Sequence, residues 1–277
     1  MHKFFTRFRI GLIILFGFIF IASATLLFLT FGRAESEGGY YYNQLNIEAK
    51  RFYNAIDDMN NRGDLKTGAA EYDLIANNTV TEALLSAYSS NASLLVAFGA
   101  ARDAYALDHA DVFYVDFSYL SISVGTQNGK LGATLGTGRA DNYYLQGGFS
   151  DEDGVAEALE EFDAAVSLIV AHAKAAGNSV VDQIKDVNAQ LIETTEYSFC
   201  SVVDENGETE YLDGAPFIRT AYGALVKHKS VCEGYARAFK TVMDKLEIPC
   251  VLVQGYAQGA DGGYEPHMWN YVQVDGH

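Results

Sequence analysis

Residues 10–31 run for 22 positions, Ile10 through Phe31, without a charged side chain. At about 1.5 Å of rise per residue, a helix of that length crosses the hydrocarbon core of a bilayer. A buried helix of a soluble protein usually shows a polar stripe, and this run carries none that is charged. Lys3, Arg7 and Arg9 precede it, Arg33 closes it, and Glu35 and Glu37 follow. The excess of positive charge before the run predicts a cytoplasmic N-terminus with the bulk of the chain outside. Residues 1–33 are therefore expected to be a cytoplasmic tip and a single-pass transmembrane anchor in the cell membrane. The alternative is a signal peptide cleaved after Ala22-Ser23-Ala24, which would leave a secreted protein. Against it, Leu26, Leu27, Phe28, Leu29 and Phe31 continue the apolar run past that site. Either route exports the remaining 244 residues.

Those residues are acidic. Four of the chain's 19 basic residues and none of its 36 acidic ones lie in residues 1–33, which leaves a net charge of −21 on the rest. Phosphate binding needs a basic face, so no nucleic-acid partner is expected. The hydrophobic share of 49% is enough to bury a core and excludes a disordered chain.

Residues 34–44 read as a juxtamembrane linker, and 45–200 as an N-terminal region of helices and hairpins. Leu45, Ala49, Phe52, Ile56 and Met59 recur at helical spacing, and Asn60-Asn61-Arg62-Gly63 ends that helix. Thr79 with Glu82 predicts a capping box for a second helix, and Asn91 starts a third that reaches about Leu107. Val112 to Val124 is β-branched and aromatic and predicts a strand, followed by a hairpin turn at Gln127-Asn128-Gly129-Lys130. Leu131–Thr137 and Asn142–Gln146 are weaker strand candidates. Ser150 is the expected cap of a helix with the stripe Val155, Leu159, Phe162, Val166 and Ile169, stopped by Gly177. Val180, Ile184, Val187 and Leu191 mark the next helix. The acidic, turn-rich stretch 202–214 places a loose boundary before a region at 201–277.

The chemistry is concentrated in that last region. Cys232 precedes a helical pattern in which Tyr235, Phe239, Val242 and Leu246 share a face. A thiol at a helix N-terminus meets the positive end of the helix dipole, which favours the reactive thiolate. Residues 217–245 hold Arg219, Lys227, Lys229, Arg237, Lys240 and Lys245 against Glu233 and Asp244, a local surplus of positive charge that acts in the same sense. For any one of these lysines or arginines a solvated helix face is the plainer explanation. His267 opens the strand pattern His267-Met268-Trp269-Asn270-Tyr271-Val272, and a histidine there is able to serve as base to a cysteine on a packed helix. Cysteine with histidine is the minimal pair for acyl transfer, although a lone cysteine is also an ordinary small hydrophobe of a core.

Three blocks in order, Val231-Cys232-Glu233-Gly234-Tyr235-Ala236, Val253-Gln254-Gly255 and His267-Met268-Trp269-Asn270 with Val274-Asp275-Gly276, closely resemble the bacterial transglutaminase-like superfamily over about residues 215–277. The resemblance implies an α+β, papain-like catalytic core in which the cysteine helix packs on an antiparallel sheet. It implies Cys232 as nucleophile and His267 as general base and acid, acting on a protein or peptide substrate as a protease, a hydrolase, or as a transglutaminase. The segment from Leu45 to Thr195, with Asp108-His109-Ala110-Asp111, looks like the region that precedes this domain in exported members. The family's triad aspartate stands on a strand after the histidine strand, and Asp275 sits at the turn and does not match it. A C-terminally truncated catalytic domain, with the acid beyond residue 277, is therefore expected.

The resemblance leaves a second function open, a catalytically inactive surface module that binds peptide or cell-wall partners. Cys200 and Cys250 either pair in a disulfide or, in the case of Cys250, fill the core. Three cysteines show no zinc spacing, and His228 and His267 lack ligand spacing, so neither a metal nor a cofactor is expected.

Overall fold

Asn46 turns the predicted stripe at 49–59 into a helix with a defined start. A short helix α1 (Tyr40–Gln44) leads into α2 (Ile47–Asn61), where the Asn46 side chain accepts from the Ala49 N–H at 2.8 Å. Ala49, Phe52, Ile56 and Met59 are buried as the spacing requires. Gly63 follows with φ of 80°, a conformation glycine adopts without strain. The computed structural model describes residues 39–87, 91–127, 130–138, 143–177, 179–198, 201–203, 209–211, 215–258 and 262–275. The apolar run at 10–31, the Asn128-Gly129 turn and Cys200 lie outside these. Among the described residues no helix is long and apolar enough to cross a membrane.

Strand β1 (Tyr72–Asp73) precedes α3 (Glu82–Ala87) and α4 (Asn91–Asp108). The cap of α3 is Thr81, whose hydroxyl accepts from Leu84 N at 3.1 Å. Thr79 is not the cap, because the helix begins three residues further on, at Glu82, and Thr79 itself lies in a turn whose Leu74 carbonyl accepts its N–H. The expected strand at 112–124 forms only in its second part. There β2 (Leu120–Gln127) pairs antiparallel with β3 (Lys130–Thr137), Gln127 opposite Lys130, and β1 pairs with the other edge of β3. Before Leu120 the Asp116 carboxylate accepts from Ser118 N and starts a 3-10 turn, and Val115 keeps a single bridge to Leu145. Val112, Phe113, Tyr114 and Val115 are all buried. Their composition encoded burial, which a strand and a packed turn satisfy equally.

Asp151, one residue after the expected Ser150, caps α5 (Glu152–Ala176): its carboxylate accepts from Gly154 N at 2.9 Å, and Ser150 Oγ donates to it. α6 (Val180–Thr194) packs against α5. The chain continues through β4 (Glu196–Tyr197), the hairpin β5 (Ser201–Val203) and β6 (Thr209–Tyr211), α7 (Ala221–Leu225), β7 (Lys229–Ser230) and α8 (Cys232–Lys245). It closes with the antiparallel hairpin β8 (Cys250–Gln258) and β9 (Tyr264–Val272).

Helix α8 is the hub of this α+β arrangement, packed by α5, α6 and α7 and laid on the β8–β9 hairpin. Ala238, Val242 and Met243 are buried while Tyr235, Phe239 and Leu246 are partly buried, so the helix is covered well beyond the single predicted face. The main buried cluster runs from Ala49 to Cys250 and so joins residues on both sides of position 200.

Candidate active site

The placement of Cys232 begins with the main chain before it. β7 leads into Val231, which is extended at φ −102°, and α8 starts at Cys232. Val231 supplies no side-chain cap, so side-chain oxygen from the capping position leaves the first-turn N–H groups untouched. Two bonds fasten this segment to the preceding turn: Val231 N and Ser230 Oγ both donate to the Ile218 carbonyl at 3.0 Å. Gly234 explains the glycine of the cysteine block. A Cβ there would lie 2.1 Å from Ser230 Oγ and 2.5 Å from Ile218 O. Only glycine lets the first turn of α8 sit this close to the chain beneath it.

The histidine strand is built in the same economical way. β9 begins at Tyr264, three residues earlier than the sequence indicated, so His267 lies within the strand and does not open it. Its cross-strand partner is Gly255. A Cβ on Gly255 would come within 2.7 Å of the Trp269 indole, and Trp269 stacks beside His267 at 6.0 Å between ring centroids. The glycine of Val253-Gln254-Gly255 thus makes room for the tryptophan that flanks the histidine. Asn270 ties the strand to the helix, its Nδ2 donating to Ala236 O at 2.9 Å and reaching Cys250 Sγ at 3.5 Å.

Half-buried Cys232 and His267 together line two adjoining cavities. One, of about 380 Å³, is walled by Arg219, Glu233, Gln254, Gly255, Tyr256 and Pro266. The other, of about 340 Å³, is walled by Leu191, Ile192, Tyr197, Tyr235, Phe239 and Trp269 among others.

Two residues of this site escaped the sequence reading. Tyr197 reaches it because β4 pairs in parallel with β7, setting Tyr197 beside Ser230, two residues before the cysteine. Burial, followed by the neighbouring Cys232, raises the pKa of the Tyr197 hydroxyl. The Tyr197 ring stacks on Tyr235 at 6.2 Å, and the Tyr235 hydroxyl donates to Thr195 O. Arg219 is the second, named from the sequence only as one member of a basic run. A two-residue strand has no periodicity to read, and Arg219 was indistinguishable from its basic neighbours.

The local surplus of positive charge does not survive folding as a common field. Lys227 pairs with Glu161 at 3.6 Å, Arg237 with Glu233 at 3.0 Å and Lys240 with Asp244 at 2.9 Å. Of the six basic residues counted in the sequence, Arg219 is the one on a cavity wall with Cys232. Cys250 is a free, buried thiol pushed up to about 12 by burial, so it fills the core and forms no disulfide. Among the described residues no group of three or more His, Cys, Asp or Glu is placed to hold a metal ion.

No family model matches the chain, and no curated protein matches it. Among solved structures the chain is similar to one described as the crystal structure of a TGase, with a TM-score of 0.34 and 16% identity. The likeness covers 57% of this chain, which spans 42% of the length of that structure.

Proposed function

We propose that this chain is an exported, membrane-anchored enzyme of the transglutaminase-like type that performs cysteine acyl transfer on protein or peptide amides. The observation that carries this is the placement of Cys232, on the first turn of α8, and His267, on β9, in the walls of the same two cavities. Export and anchoring are supported by the apolar run at 10–31 and the charges around it.

In the reaction His267 takes the Cys232 thiol proton as Sγ attacks the amide carbonyl carbon, and the carbonyl π pair moves onto oxygen. The N–H groups at the start of α8, where four main-chain donors lack helical partners, are suited to hold that oxyanion. The C–N bond then breaks, and His267 gives its proton to the departing amine. Water or a primary amine opens the thioester, losing a proton to His267; the C–S bond breaks, Cys232 Sγ takes that proton back, and a carboxylic acid or a new amide leaves. Tyr197 lines the same cavity as Cys232 and His267, so an arriving substrate passes its ring.

The test is incubation of the whole chain with glutamine-containing peptides and a fluorescent primary amine over a range of amine concentrations. We expect a thioester mass on Cys232, loss of turnover in Cys232→Ala, and a fall of about 10²–10⁴ in His267→Ala. Amine incorporation identifies transamidation, and peptide cleavage or deamidation at every amine concentration identifies hydrolysis. Absence of both thioester and turnover would replace this function with a binding module for peptide or cell-wall partners, and undiminished turnover in Cys232→Ala would overturn Cys232 as the nucleophile.

A further inference from the structure

The two cavities that meet at Cys232 differ in chemistry. Resting on the acyl-transfer function above, we propose that the cleft selects a peptide with an acidic residue on one side of the reacting amide and an aromatic or large aliphatic residue on the other, with Arg219 reading the acid.

On the apolar side, Ile192 is 64% exposed and Tyr197 53% exposed at the rim of a cavity that also holds Phe239 and Trp269. A large apolar side chain of the substrate removes this surface from water. The opposite cavity opens into a third, of about 470 Å³, and the two share Arg219, Glu233 and Gln254. Acids line this side as well, but they already have partners. Glu233 Oε1 accepts from Arg237 Nε at 3.0 Å and lies 3.0 Å from its Nη2. Asp103 pairs with Arg102 at 3.1 Å, and Asp116 Oδ1 accepts from Ser118 N and Oγ.

Arg219 is placed differently. Its side chain is 65% exposed, and among the described residues its polar contact is Glu233 Oε2, at a long 3.5 Å. A guanidinium has five donors in a planar fork that matches a carboxylate. Its main chain is nevertheless fixed. Ile218 O is held by Val231 N and Ser230 Oγ, and Thr220 Oγ1 caps α7 by accepting from Gly223 N at 3.1 Å. A carboxylate gripped by Arg219 is therefore registered against the segment that delivers Cys232. Because the exported part is strongly acidic, the preference acts by contact and not by long-range attraction.

The probes are glycine-based peptides whose central side chain ends in a chloroacetamide of glutamine-like reach, which alkylates Cys232. One flank carries Glu, Gln or Lys and the other Phe or Gly, in both orders, and the rate is read by mass on the Cys232 peptide of the whole chain. Each rate is expressed relative to iodoacetamide on the same variant. For one order we expect the Glu–Phe probe to be fastest, with Glu→Gln in the probe costing about fivefold, the size expected of a partly exposed charged pair. Arg219→Gln brings the Glu-to-Gln ratio to about one, and Arg219→Glu turns the preference toward Lys. Equal rates for Glu and Gln probes on the unaltered chain, or a preference that persists in Arg219→Gln, overturns the proposal. Indifference of Cys232 alkylation to His267→Ala overturns the acyl-transfer function instead, and that result is read independently of the flanks.

Discussion

Gly234 and Gly255 are where single atoms decide whether the site assembles. Gly234→Ala sets a methyl against Ser230 Oγ and Ile218 O at 2.1 and 2.5 Å, and main-chain atoms yield little. We expect a loss of about 1–3 kcal/mol in urea unfolding, the usual cost of overpacking, together with slower alkylation of Cys232 as the first turn is lifted. Cys250 gives a prediction of opposite character. Its thiol is held near 12 in the fold against 9.0 ordinarily, so the unfolded chain ionises first. The stability it contributes is complete below pH 9 and is lost as pH rises from there toward 12. Between pH 8 and 10 the unaltered chain should therefore lose about 1 kcal/mol more than Cys250→Val, measured by urea unfolding of the two side by side. At this scale Cys232 and His267 were legible because their environments are contiguous words, Cys232-Glu233-Gly234 and His267-Met268-Trp269-Asn270. Tyr197 and Arg219 were not, because distant pairings place them: β4 on β7 for the first, the Ile218 carbonyl under Ser230 and Val231 for the second.

Among the elements, those with a long period were read well and those defined by a local cap or an edge were read poorly. The helix starting at Val180 lies where the apolar spacing put it, since a buried stripe over many turns outweighs any one residue. The caps moved to Thr81 and Asp151 because several hydroxyl and carboxylate side chains in a row can each take the role. One side chain of α8 was invisible to the periodic reading. Lys240 is buried, pairs with Asp244 one turn on, and donates to Cys250 O at 3.3 Å, which fastens the helix to β8. Burial raises the Asp244 carboxyl above its ordinary value, while the Lys240 charge pulls it back. Lys240→Met removes that restraint and leaves a partly exposed carboxylate unpaired, at a cost of about 1–3 kcal/mol near neutrality, less than for a wholly buried pair. A carboxyl raised in the fold opposes stability as pH climbs above its unfolded value, and it does so more strongly in the variant. The deficit of Lys240→Met relative to the unaltered chain should thus be larger at pH 7 than at pH 4 in paired urea titrations.

Over the whole molecule, the first described residues are bound to the body that carries the site. Asp108, at the end of α4, accepts from Tyr41 N at 3.0 Å, Tyr42 N at 2.9 Å and the Tyr53 hydroxyl at 3.1 Å. The Tyr41 hydroxyl donates to Leu252 O on β8. Gly39 packs so closely on Asp108 that a Cβ would lie 2.1 Å from its Cγ. Between Phe31 and Gly39 there are seven residues, which reach at most about 25 Å when extended. As the proposed anchor, 10–31 would hold the β8–β9 hairpin on a short tether and confine the cleft to substrates near the membrane surface. Two measurements separate the tether from a cleaved leader. After an alkaline carbonate wash the whole chain should remain with the membrane pellet, and a chain starting at residue 34 should not. A soluble product beginning after Ala24 would identify cleavage and release the cleft from the surface. Asp108→Ala tests the near end of the tether: amide hydrogen exchange at 39–44 should quicken, because two main-chain donors lose a charged acceptor. Exchange across α8 should stay slow, since α5, α6, α7 and the hairpin enclose that helix independently of α1.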